Sequence, residues 1–180
     1  MSTRPTPVRD VLAKIVAVFD TPGLGVESKD YDPIRFKTVL QDEPIEAVLE
    51  AMEYQNALLF RCENVAVGRS EVVGQMILDM TIGCYYFYPY QQQGKAEDSA
   101  WDVLLRAAMV VGEELAKPDG STGAGGLFKQ EAAKRHRITD IRPEGPMTVR
   151  PVFEDGSYKG VLGRYDFGVE YRVDITGGTD

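Results

Sequence analysis

The sequence is poor in the residues from which metal and redox sites are built. Its 180 residues include 1 histidine and 2 cysteines. A lone histidine, His136, cannot supply a two- or three-histidine metal site. Cys62 and Cys84 are too far apart for a CxxC pair and too few for a disulfide framework, so both are expected as reduced, buried thiols. Long apolar runs are also missing, and none approaches the roughly 20 residues that cross a bilayer. The opening Met1-Ser2-Thr3-Arg4-Pro5-Thr6-Pro7 lacks the apolar stretch of a signal peptide. Positive charge is short: Lys and Arg total 20 against 28 Asp and Glu, a net charge of −8. That balance is unfavourable for tight binding to a phosphate backbone, which wants basic surface. These deficits predict a soluble, acidic, cytosol-made protein without membrane contact.

What is present suffices for an ordinary core. The apolar fraction is 43% and the charged fraction 27%, both usual for a globular chain. The length predicts a single domain over 1–180 that folds without staples. Residues 1–5 and 177–180 are expected as flexible tails, and 117–126 as a mobile glycine-rich loop.

Thr6 followed by Pro7 is a helix start, and Val8, Val11, Leu12, Ile15, Val18 and Phe19 make one apolar stripe before Thr21-Pro22-Gly23 ends it. Residues 25–39 read as loop with one short strand. A shorter helix is expected over Glu43–Met52, capped by Asp42. Ala57–Cys62 is a run suited to a strand buried on both faces. Residues 72–88 form a long strand candidate, with Gly83 marking a bulge and Val67–Glu71 the hairpin loop before it. A helix follows from Trp101 to Ala116, its buried face being Trp101, Leu104, Leu105, Ala108, Val111 and Leu115. The C-terminal quarter reads as strands over 138–141 and 147–153, interrupted by Pro143 and Pro146. Then come a turn at Glu154-Asp155-Gly156-Ser157 and a last strand with one buried face: Tyr165, Phe167, Val169, Tyr171, Val173 and Ile175. The predicted fold is α+β, an antiparallel or mixed sheet with helices packed on one face, in the order α-β-β-α-β-β.

Catalytic patterns are hard to assemble. The glycines of 120–126 follow a helix rather than a strand and precede no Lys-Ser or Lys-Thr, so they do not make a phosphate loop. Lys134-Arg135-His136-Arg137 reads as a solvated basic edge. Glu113 and Glu114 are adjacent on a helix, about 100° apart, and do not converge on one atom. No GxSxG elbow occurs. No cofactor and no enzymatic activity are expected, although an α+β enzyme remains an alternative. The cluster Tyr85-Tyr86-Phe87-Tyr88-Pro89-Tyr90 has two readings: it packs under the chain's own helix, or its outward members anchor a protein contact.

The order of segments resembles the tail terminator and tail-completion proteins of long-tailed bacteriophages. The resemblance rests on the helix Pro7–Phe19, the strand Asn56–Arg61 and the long strand Gln75–Ile82. It continues with a helix opening Ser99-Ala100-Trp101-Asp102-Val103-Leu104-Leu105, the segment Ile141-Arg142-Pro143, and the closing strand Tyr165–Thr176. The helix in Gln41–Met52 and the loop Gly120–Gly126 look like insertions. The resemblance implies a virion protein, made in the host cytoplasm, that forms a ring, commonly a hexamer. Such a ring ends tail-tube growth and joins tail to head. Its partners would be its own copies, the tail tube protein, a sheath protein in a contractile tail, and the head-side connector. Genomic DNA would pass through an acidic lumen without specific binding. The neighbouring head-completion ring and a monomeric adaptor domain are the alternatives. Expected contact residues are Tyr88, Tyr90, Gln91, Gln92 and Gln93 beside the long strand, Gly123 and Gly125 in the glycine loop, and Arg69 at the hairpin tip.

Overall fold

The computed structural model describes residues 6–19, 34–68, 70, 72–89, 100–106, 109 and 136–175. In chain order the elements are α1 (Pro7–Phe19), β1 (Arg35–Thr38), α2 (Ile45–Ala51), β2 (Ala57–Gly68) and β3 (Gln75–Tyr88), then β4 (His136–Glu154) and β5 (Ser157–Asp174). A helical segment, 100–106, lies between β3 and β4 in sequence. The strands form one mixed sheet in the order β1-β2-β3-β5-β4. β1 is parallel to β2, and the other pairs are antiparallel. The α+β class is as expected. The order does not reduce to α-β-β-α-β-β, because β1 and α2 intervene between α1 and β2.

Local chemistry explains much of this. Thr6 accepts the Asp10 amide through its carbonyl at 3.0 Å, and Pro7 opens α1 where its missing N–H is harmless. The β4–β5 hairpin turns on Asp155 (φ 48°) and Gly156 (φ 75°), the paired positive φ of a two-residue turn whose twist matches its strands. β4 is one strand where two were expected. It is a sheet edge, so Pro143 and Pro146 need donate to no neighbour on the open side. The ladder slips between Glu144 and Thr148 to absorb the irregular residues.

The main core lies on one face. Leu58, Phe60 and Cys62 of β2, alternate residues of β3 from Leu78 to Tyr88, and Phe167, Val169, Tyr171 and Val173 of β5 meet Val11, Leu12 and Ile15 of α1. Ala100, Val103 and Leu104 join the same core. The alternation of β5 from Tyr165 to Val173 and the two-faced burial of Ala57–Phe60 are as predicted, but Ile175, expected on the buried face, lies past the end of β5 and is exposed.

Three expectations need correcting. α2 covers the opposite face, where Ile45, Val48 and Leu49 pack with Ala57, Leu59, Tyr85, Phe87 and Leu162, so the helices are not all on one side. Its N-cap is Pro44, without a side-chain cap, rather than Asp42. The segment 100–106 is rotated from the expected face: Ala100, Val103 and Leu104 are buried, while Trp101 (39%) and Leu105 (51%) are exposed. The cause is a close approach to β5. A Cβ on Gly163 would lie 2.5 Å from Leu104 Cδ1, so Leu104 seats on the bare backbone there and fixes the helix rotation. Ala108, Val111 and Leu115 lie outside the described residues.

Candidate functional site

The face shared with α2 changes character along the strands. Under α2 it is apolar. One step further it becomes a ladder of charges. β2, β3 and β5 align Arg61, Gly83 and Asp166 in one row, and Leu59, Tyr85 and Arg164 in the next. Arg61-Cys62-Glu63 and Arg164-Tyr165-Asp166 each put opposite charges two residues apart, hence on one face of a strand. The irregularity expected at Gly83 sits across from it. Gly83 is in register, and the ladder shifts on β2 between Cys62 and Asn64. Gly83 is needed for space: a Cβ there would lie 2.7 Å from both Glu63 Oε1 and the Tyr85 ring.

The hydrogen bonds of the ladder are dense. Arg61 donates through Nε to Glu63 Oε1 at 2.9 Å and through Nη2 to Oε2 at 3.2 Å, a forked pair. Its Nη1 reaches the Glu43 carbonyl at 3.1 Å, and its Nη2 also approaches the Tyr85 hydroxyl at 3.1 Å. That hydroxyl donates to Glu63 Oε1 at 2.5 Å. Arg164 holds Asp166 in a second fork at 2.9 and 3.0 Å. The two guanidinium groups stand 5.4 and 5.3 Å from the Tyr85 ring centre, close enough for cation–π attraction.

Protonation follows from these contacts. Burial, then the hydrogen bond and charge of Glu63, push the Tyr85 hydroxyl up to about 12. Burial alone would raise the Glu63 carboxyl, but hydrogen bonds from Arg61 and Tyr85 and the charges of Arg61 and Arg164 hold it below the usual carboxylate range. Burial opposes charge on Arg61 too, and the hydrogen bonds and charges of Glu63 and Tyr85 together outweigh it. Arg164 is raised chiefly by its bond to Asp166. Near neutrality Arg61, Glu63 and Arg164 are therefore charged, beside a tyrosine that keeps its proton. The ladder is built to hold position and to present guanidinium groups, not to shuttle protons.

Beside the ladder a cleft of about 370 Å³ opens between the start of α2, β2, β3, β4 and β5. Arg61, Arg164, Arg150, Tyr85 and Thr148 line it, with Ile45 and Leu162 as its apolar part and Glu46 on its rim. Arg150 is paired with Glu46 across 104 residues of sequence. Burial and that pairing act in opposite directions on Glu46, and the result is a lowered pKa.

The sequence pointed elsewhere. Tyr88 is 3% exposed and lies 6.2 Å from Tyr86, ring to ring, inside the main core. It is therefore not a surface anchor of the subunit. The parity that buries Leu78 and Tyr86 buries Tyr88 too, while α2 covers Tyr85 and Phe87, so this aromatic run is internal on both faces. Tyr90, Gln91, Gln92, Gln93, Gly123, Gly125 and Arg69 lie outside the described residues, as do Glu113, Glu114, the segments 1–5, 117–126 and 177–180, and the His136 side chain. Cys62 and Cys84 are free and buried, and burial pushes both thiols up. Among the described residues no group of three His, Cys, Asp or Glu is placed to hold a metal ion, and no helix is long and apolar enough to cross a membrane. In the ladder, the Arg-x-Glu and Arg-x-Asp spacings were a readable signal. The cleft had none, since its walls come from separate parts of the chain. Compared with known proteins, the sequence matches no family model and no curated protein.

Proposed function

We propose that this chain is a structural virion protein that forms a ring at the head-proximal end of a long phage tail, ending growth of the tail tube and joining tail to head. The ring is six-fold by the resemblance, and its partners are further copies of the chain, the tail tube and the head-side connector. The family order α-β-β-α-β-β belongs to this reading: α1, β2, β3, segment 100–106, β4 and β5 are its elements, and β1 at the sheet edge with α2 on the second face is an addition.

The observation that carries the reading is a pair of exposed apolar surfaces at opposite ends of the subunit. One is the β2–β3 hairpin tip, where Val65, Val67, Val72 and Val73 face solvent. The other is the stripe formed by Trp101 and Leu105, one turn apart on segment 100–106, with Met109 also exposed. The tip lies beside Ile175, whose amide donates to the Gly74 carbonyl at 2.8 Å. The helix seats on Gly163. Along β5 these points are about 40 Å apart at the usual strand rise. A closed ring requires two different surfaces on each copy, one for each neighbour. Tip and stripe supply them.

Native mass spectrometry with negative-stain imaging of the purified chain tests this. Closed rings are expected. Val73→Asp at the tip and Leu105→Asp on the stripe should each abolish them without changing circular dichroism. Mixed together, the two variants should form dimers and stop there, since each retains one competent surface. A chain that stays monomeric at every concentration, or rings that survive both substitutions, would overturn the reading.

A further inference from the structure

We propose that α2 is a strap that opens as a unit, turning about Pro44 at one end and Glu53–Tyr54 at the other while the sheet and its α1 face stay folded. The strap lies on the face opposite segment 100–106, so the ring contacts do not bear on it. Its packing sets it apart. Ile45, Val48 and Leu49 belong to the smaller core, and no residue of α2 joins the larger one. Seven residues are too few for a helix to persist alone in water, so α2 keeps its shape only while docked. Undocking and unwinding are therefore one event.

Both ends are tied to the β4–β5 hairpin by polar contacts at the surface. Glu46, in the first turn, pairs with Arg150 of β4, and both side chains are more than half exposed. Pairs of this kind are weak. Past the last turn, Tyr54 donates a hydrogen bond to Glu154 of β4. Lys159 of β5 holds that carboxylate at 2.9 Å, with its ammonium 5.3 Å from the Tyr54 ring centre.

The exit from α2 is strained. The Tyr54 amide donates to the Leu49 carbonyl at 2.9 Å and the Glu53 amide to the Glu50 carbonyl at 2.8 Å, a double closure that needs a left-handed residue after the helix. Glycine is favoured there. Here Glu53 (φ 56°) and Tyr54 (φ 51°) fill two left-handed positions in succession. Each costs free energy that is relieved when the segment is released. The start, at Pro44, has no side-chain cap. What holds the strap down is apolar: its three buried residues and the Tyr54 ring, 5.8 Å from that of Phe87. Opening uncovers Leu59, Phe87 and Leu162, and it withdraws the Glu43 carbonyl from Arg61 Nη1, so the strap and the charged ladder are coupled.

Native-state hydrogen exchange of the full chain in a urea series is the test. The Val48, Met52, Glu53 and Tyr54 amides are all bonded within α2 or at its end. They should share one opening that urea promotes, at least about a hundredfold more frequent than that of the β3 and β5 amides. Cys62 and Cys84, free and buried in the larger core, should stay closed to a thiol reagent while α2 opens. Arg150→Gln should speed α2 exchange about two- to fivefold, the worth of an exposed pair, and leave β3 and β5 unchanged. Glu53→Gly should slow it about threefold by relieving a left-handed position. Exchange of α2 in step with β3 and β5 would make it part of one folding unit and overturn the proposal. So would urea-independent exchange at four separate rates, which is fraying of a helix and not the opening of a strap. Unchanged or faster exchange in Glu53→Gly would remove the strain that the strap requires.

Discussion

The two faces of the sheet use the same three central strands and reach order by different means. On the α1 face, alternate residues of β3 and β5 are apolar almost from end to end, and the face is closed by α1 and segment 100–106. On the α2 face, apolar packing extends only as far as a seven-residue helix covers it, and a charged ladder takes over beyond. The first face gains stability from area removed from water and has no charged side chain among its buried residues. The second is held by geometry, and its tolerance depends on whether each polar atom keeps a partner.

The largest effect is expected on the first face. Val169 is 1% exposed, between strands on both sides. Val169→Asp buries a carboxyl with no counter-charge among the core residues around it and should prevent soluble folding. Expression followed by circular dichroism of the soluble fraction decides this. A folded Val169→Asp protein would break the contrast between the faces outright.

Next comes α2. Leu49 is fully buried against the second core. Leu49→Ala should cost about 2–5 kcal/mol in chemical denaturation, the usual range for emptying such a site. A loss well below this would mean that α2 contributes little to the fold and that the ladder alone orders its face.

Third is the glycine between the charges. Gly83→Ala places a methyl group where Glu63 Oε1 and the Tyr85 ring already are. Relief requires Glu63 to leave Tyr85 or Arg61, so a loss of about 1–3 kcal/mol is expected. An alanine protein as stable as wild type would show that the ladder shifts freely.

This contrast also explains what could be read from the sequence. α1, the two-sided burial of Ala57–Phe60, the Asp155-Gly156 turn and the register of β5 are local: period, capping and turn residues determine them within a few positions. The misplaced features depend on distant residues. Trp101 faces out because Leu104 seats on Gly163. Nothing in the stripe Ile45, Val48, Leu49 says which side of the sheet α2 will cover. Pro143 and Pro146 looked like strand ends because β4 could not be known as an edge. Tyr88 was the avoidable error, since its parity with Tyr86 already placed it on the core face. Of the candidate site, the Arg61–Glu63 and Arg164–Asp166 spacings were legible, whereas Glu46 and Arg150 meet only after the fold is complete.

The smallest effect expected is the most specific to the ladder. Tyr85→Phe removes one hydroxyl that donates to Glu63 and receives from Arg61. Near neutral pH the loss should be about 1 kcal/mol, typical of a hydrogen bond exchanged for water. Its pH dependence carries the information. In the folded chain the hydroxyl titrates near 12, while an unfolded tyrosine titrates near 10. A raised pKa contributes stability that is fully present below the unfolded value and is lost as pH rises through the folded one. The stability gap between wild type and Tyr85→Phe should therefore be constant below about pH 10 and shrink between about 10 and 12. Arg61 and Arg164, both raised, keep their charge over that range, so the ladder does not dissolve for another reason. The other tyrosines titrate alike in both proteins and cancel. Urea melts at intervals across this window measure the gap. A gap that stays flat to pH 12 would mean the hydroxyl is free of Glu63, and the ladder would then be two separate ion pairs instead of one connected unit.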